Sequence, residues 1–158
     1  MGDGYNFKQL KERILALSVA TDWEVARKEW SLVGIHEADE PDTCICGHFP
    51  IVEICEIHNR RTNRRTEVGN HCVKRFLGLR SDLVFAAIKK IRKDISKSLN
   101  ADAIAFFHDR RVINNWEYDF SQNTMSKRSL SAAQLQTRAK INQKVLLSIK
   151  QRGFQGNV

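Results

Sequence analysis

Apolar positions near the start of the chain recur at helical spacing. Phe7, Leu10, Ile14 and Leu17 form one stripe, and Asn6 followed by Gln9 has the form of a capping box opening that helix. Thr21 and Glu24 repeat the pattern ahead of TDWEVARKEW, a second predicted helix with Trp23, Ala26 and Trp30 on one face. Core packing is the expected role of both tryptophans. The period then changes. Ser31 to Ile35 reads as a short strand, and the acidic stretch 36–42, with Pro41, as the turn that ends it. Ile51, Glu53, Cys55 and Ile57 alternate with Val52, Ile54, Glu56 and His58, which predicts a strand. The polar stretch Asn59 to Arg65 is a natural hairpin loop, and Thr66 to Gly69 returns antiparallel. A helix is expected from about His71.

The rest of the pattern is helical. Ser81 can cap a helix whose Val84, Ile88, Ile91 and Ile95 share a stripe, with Lys89, Lys90, Arg92, Lys93 and Lys97 on its solvated face. Asn100 opens another helix. Trp116, Tyr118 and Phe120 alternate, and the polar run after them predicts a loop. Ser131 and Gln134 form the clearest capping box, with Leu130 and Leu135 placed as a hydrophobic staple. Leu135, Ala139, Asn142, Val145, Leu146 and Ile149 give that helix an inward face, and Gly153 ends it. The predicted class is α+β: residues 1–35 as N-terminal helices, 36–80 as a short metal-bound β-hairpin with its helix, and 81–158 as a C-terminal helical set, all in one compact domain.

Composition adds a charge. The 158 residues hold 26 Lys and Arg against 18 Asp and Glu, a formal net charge of +8, while 42% apolar and 28% charged residues are ordinary globular values. Such an excess favours polyanionic partners, because cations gain affinity by releasing counterions from phosphate chains. No basic-then-apolar leader is visible and no apolar run approaches membrane-spanning length, so a cytoplasmic protein without a membrane partner is expected.

All four cysteines fall between positions 44 and 72. In a reducing compartment, clustered cysteines point to a metal rather than to disulfides. Thiolates suit zinc, which takes four tetrahedral ligands. Cys44 and Cys46, one residue apart, can face one ion from an extended segment, and Gly47 lets the chain turn behind them. Cys72 stands at a predicted helix start, where unpaired amides favour a thiolate. A glycine-turned loop paired with a helix start across a hairpin resembles the treble-clef way of building a zinc site. Cys55 completes the simplest closed set, Cys44, Cys46, Cys55 and Cys72. As a mid-strand cysteine it also fits a small buried hydrophobe, with His48, His58 and His71 as competing ligands.

The run CICGHFPI through CEIHNRRTNRRTEVGNHCVKRFLG resembles a small zinc-binding module of uncharacterised proteins from bacteria, phages and other mobile elements. The residues that carry the likeness are Cys44, Cys46, Gly47, Ile57, Thr62, Val68, Gly69, Cys72, Val73 and Phe76, and later Leu130, Ser131 and Gln134. The chain departs from the pattern at His58 and Asn59, which follow Ile57 directly, and at Asn63, where a glycine is usual. The resemblance implies a zinc module and little about function.

Between His58 and Arg80 stand Arg60, Arg61, Arg64, Arg65, Lys74, Arg75 and Arg80 against a single acid, Glu67. Two arginine pairs on a hairpin tip suit phosphate oxygens, which guanidinium groups grip bidentately. Charge compensation of zinc-bound thiolates is the plainer use for one or two of these cations. The expected function is contact with the phosphate backbone of DNA or RNA through Arg60, Arg61, Arg64, Arg65, Lys74 and Arg75. A protein-binding adaptor or inhibitor, with a host protein as partner, is the alternative. A zinc-supported nuclease using His58, Asn59 or His71 ranks last: a closed four-ligand site leaves no position for water, and no paired carboxylates flank the histidines. The expectation is therefore not an enzyme.

Overall fold

The protein is represented by a computed structural model that describes residues 2–150. Among these residues it is α+β, with seven α-helices and one antiparallel sheet of three strands. Packing divides the chain into two units, which meet in sequence between Ser81 and Asp82.

In the first unit, α1 spans Gly2–Ala16. The backbone is already helical at Asn6, so that residue does not cap it. The apolar stripe is used as its spacing predicts, with Leu10 and Ile14 fully buried and the Phe7 ring edge-on to Trp23 at 5.6 Å. α2 is a single turn, Trp23–Ala26, capped by Asp22 rather than Thr21 through a 3.2 Å bond from the Val25 amide. A 3-10 turn, Arg27–Glu29, follows, and Trp30 opens β1 instead of closing a helix. Strand pairing of Trp30 with Asn59, and an indole bond to the Ser18 hydroxyl at 2.9 Å, override the local helical period.

The sheet is a meander of β1 (Trp30–Asp42), β2 (Ile51–Asn59) and β3 (Arg65–Gly69), with β2 in the middle. β1 runs on through the acidic stretch that the sequence places in a turn. Glu37 pairs with Glu53 and Asp42 with Ile51, and an irregularity between them absorbs the misfit. Being central, β2 buries Ile54, Cys55, Glu56 and Ile57 in succession. α3 (Asn70–Leu77) leaves the end of β3 directly.

The second unit holds most of α4 (Ser81–Lys93), then α5 (Ala101–Asp109), α6 (Asn115–Thr124) and α7 (Ala132–Ser148). Val84, Ile88 and Ile91 are buried, but α4 stops before Ile95. Asn100 caps α5 as expected, accepting the Ala103 amide at 2.8 Å. α6 replaces the expected alternating segment and loop. A complete capping box of Asn114 and Glu117 starts it, and Trp116 stacks on Phe120 one turn on at 5.4 Å. The Ser131–Gln134 box of α7 is formed in both directions, at 3.0 and 3.2 Å. Ile141, Asn142 and Val145 are its buried positions, followed by the buried C-cap Ile149, whereas Leu135 is exposed and Gly153 lies outside the described residues. Ser131→Ala is expected to lower stability by about 1 kcal/mol, read as a reduced urea midpoint with an unchanged slope.

Candidate metal centre

Three cysteines reach one point from two places in the chain. Cys44 and Cys46 stand in the turn between β1 and β2, and Cys72 in the first turn of α3. Their sulfur atoms all lie within 4.8 Å of one another, and all three side chains are buried. Tetrahedral zinc with bonds of about 2.3 Å puts its sulfurs roughly 3.8 Å apart, so the spacing fits a thiolate-bound ion.

The backbone is folded for those sulfurs. The Cys44 amide donates to the His48 carbonyl at 2.9 Å and the Gly47 amide to the Cys44 carbonyl at 2.8 Å. Gly47 makes this turn at φ +93°, a conformation L side chains rarely adopt. Two further amides point at sulfur: His48 at Cys46 Sγ, 3.4 Å, and Gly69 at Cys44 Sγ, 3.3 Å. Gly69 is also a close approach. A Cβ there would come within 3.2 Å of the Ile51 side chain and 3.7 Å of Cys44 Sγ.

Packing alone gives this turn little support. From Thr43 to Pro50 the buried side chains are Cys44 and Cys46, while Phe49 is 59% exposed. The electrostatics point the same way. Hydrogen bonding from Cys72, opposed by burial and aided by the Cys46 and Gly69 contacts, holds Cys44 down at about 5. Its charge and hydrogen bond, together with burial, push Cys72 up, and burial does most to push Cys46 up. Cys44 is thus the thiol that ionises readily, and a cation at this point would favour ionisation of the other two. The cluster fits a metal ion.

Cys55, expected as the fourth thiolate, is not brought into this group. It lies in the middle of the central strand, paired with Ile35 on one side and Val68 on the other, and is wholly buried. Burial pushes its thiol up to about 12, as for a small apolar side chain. His58 is also remote in the fold. It sits at the far end of β2, with Nε2 2.7 Å from Asn63 Oδ1. His48 and His71 line the cavity of about 380 Å³ that the three cysteines also line.

The basic residues occupy two places. Arg60, Arg61 and Arg64 are in the β2–β3 tip and Arg65 opens β3, all exposed; Lys74 and Arg75 are exposed on α3. β3 separates the sets by five residues, roughly 16 Å. The tip arginines thus stand at the opposite end of the hairpin from the sulfurs and are not placed to compensate thiolate charge. Some already have internal partners: Arg65 bonds Glu56 at 2.8 Å, and an Arg60 guanidinium nitrogen donates to the Lys28 carbonyl.

What shapes the tip went unseen in the sequence. Asn59 is fully buried, and its Oδ1 accepts the amides of Arg61 and Thr62 at 2.7 and 2.9 Å. Its Nδ2 donates to Glu29 Oε1 at 2.9 Å, and Thr62 Oγ1 donates to the Leu17 carbonyl at 2.9 Å. An asparagine opening a polar loop, with amides two and three residues on, is the local signal that could have found this turn. Its buried carboxylate partner carries no such signal. No model of a known protein family, no curated protein and no solved structure matches the chain.

Proposed function

We propose that this is a structural-zinc protein that binds the phosphate backbone of DNA or RNA, with Cys44, Cys46 and Cys72 holding the ion. The convergence of three buried sulfurs in a turn with little other packing carries the zinc half of the reading. The donor set favours zinc, because thiolates discriminate against the hard cations that prefer oxygen. The module belongs, on this reading, with the small zinc proteins of bacteria and mobile elements that its motif resembles.

Support for the second half is the exposed arginine tip on a backbone held by Asn59 and Thr62. Cations on a pre-shaped turn lose less entropy when they meet phosphate than cations on a loose loop. Arg61 and Arg64 lead, because the Arg60 and Arg65 side chains are hydrogen-bonded within the fold, although the charge of Arg61 also acts on Glu29; Lys74 and Arg75 offer a second contact. Replacing both Arg61 and Arg64 by Gln is expected to weaken binding to random oligonucleotides. The slope of log K against log salt should become shallower by about 2, near 1 per lost phosphate contact. Unchanged affinity and slope in a folded variant would remove the tip from the interface.

A protein-binding role is favoured by a different observation. Trp116 is 62% exposed and stacked on Phe120 along α6, an aromatic pair of the kind enriched at protein interfaces. Retention of a co-purified protein after nuclease and high salt, with no binding to oligonucleotides, would select that reading over the first.

A further inference from the structure

We propose that His48 supplies the fourth ligand, making the centre a three-thiolate, one-imidazole site rather than a four-cysteine one; the inference rests on the zinc reading above. With Cys55 held in the central strand and His58 at the far end of the hairpin, two candidates line the cavity beside the sulfurs: His48 and His71.

Geometry separates them. His71 and Cys72 are consecutive residues in the first turn of α3. Successive side chains on a helix diverge by about 100°, so once Cys72 is turned inward to the sulfurs its neighbour is carried away from them. His48 is placed differently. It follows Cys46 by two residues across the reversal at Gly47, and the knuckle anchors its backbone at both polar groups. Its amide points at Cys46 Sγ, and its carbonyl accepts the Cys44 amide. Its ring nitrogens, like those of His71, stand outside the close group of sulfurs, and rotation of the His48 side chain within the shared cavity is the movement the proposal requires. His48 is an exposed residue of this turn. A neutral imidazole also leaves the centre with less negative charge than a fourth thiolate would, which suits a site with no arginine of the tip nearby.

The test is zinc K-edge X-ray absorption on the full chain, combined with competitive zinc titration. The wild type should show three sulfurs at about 2.3 Å and one lighter ligand at about 2.0 Å with an imidazole scattering signature. His48→Ala should lose that signature and bind zinc roughly tenfold or more weakly, while His71→Ala and Cys55→Ser bind as the wild type does. His48→Cys should retain tight binding with four sulfurs, which guards against misfolding of the alanine variant. Four sulfurs in the wild type, one of them lost in Cys55→Ser, would overturn the assignment and leave the zinc reading standing. So would a loss of imidazole in His71→Ala in place of His48→Ala. A folded wild type that binds no zinc would overturn both.

Discussion

Chelation of the proposed zinc ion is expected to unfold residues 31 to 80. Structural zinc contributes on the order of 10 kcal/mol of folding free energy in small zinc modules, more than one small sheet can lose. The turn from Thr43 to Pro50 depends on it most, since its buried side chains are the two cysteines themselves. Cys72 ties that turn to the start of α3, and the Gly69 amide, at the junction of β3 and α3, points at Cys44 Sγ. Releasing the ion leaves three buried thiols, of which only Cys44 ionises readily. Circular dichroism should lose its sheet contribution. Tryptophan emission should shift to the red, because Trp30 is buried at the start of β1 and becomes wetted, whereas Trp116 is exposed from the outset. Cys46→Ser should behave like the chelated wild type. Unchanged spectra, with no metal released, would contradict this.

The second large effect is expected at Asn59. Asn59→Ala removes a buried donor from the Glu29 carboxylate and an acceptor from two part-buried tip amides, at a side chain that itself has no solvent access. Leaving buried polar groups unpaired costs about 1–3 kcal/mol each, and partial relaxation brings the expected loss to about 3 kcal/mol. Acid should weaken the same latch. Burial raises the Glu29 carboxyl, but the Asn59 side chain, the Val19 and Ala20 amides and the charge of Arg61 together hold it below its ordinary value of 4.5. Its folded value is therefore the lower one. The carboxylate contributes fully above the unfolded value, and its contribution is lost as pH falls through the folded value. Glu29→Gln should remove that part of the acid transition while lowering stability at neutral pH. Denaturant melts of wild type, Asn59→Ala and Glu29→Gln between pH 3 and about pH 7 read both effects. An acid limb unchanged by Glu29→Gln would rule the latch out as a source of acid sensitivity.

Local signals in the sequence were enough for β2, β3, α3 and the capped helices α5 and α7. Alternation, a polar loop and a capping residue are properties of neighbouring positions, so they survive without knowledge of the fold. The same is true of Cys44, Cys46 and Cys72, whose residue type and spacing mark them. Failures came where a distant partner decides. Trp30 sits on a helical face by periodicity, yet pairs with Asn59 in the sheet. The acidic end of β1 looks like a turn because its strand character comes from Glu53 and Ile51 across the ladder. α6 differs in that its signal is local: a capping box of Asn114 with Glu117 starts a helix against the strand-like alternation of Trp116, Tyr118 and Phe120. Cys55 illustrates the limit most clearly. Cysteine count makes it a candidate ligand and its mid-strand position a core residue; it lies buried in the central strand, and its sulfur is not in the close group of three. The Glu29–Asn59 contact spans 30 positions, and no local pattern announces it.

Metal analysis of the protein purified without added metal tests most directly whether Cys44, Cys46 and Cys72 hold a structural ion. Elemental mass spectrometry should find about one zinc per chain in the wild type and almost none in Cys44→Ser or Cys72→Ser. A wild-type protein that carries no stoichiometric metal, yet shows a cooperative unfolding transition and dispersed amide resonances, would contradict it.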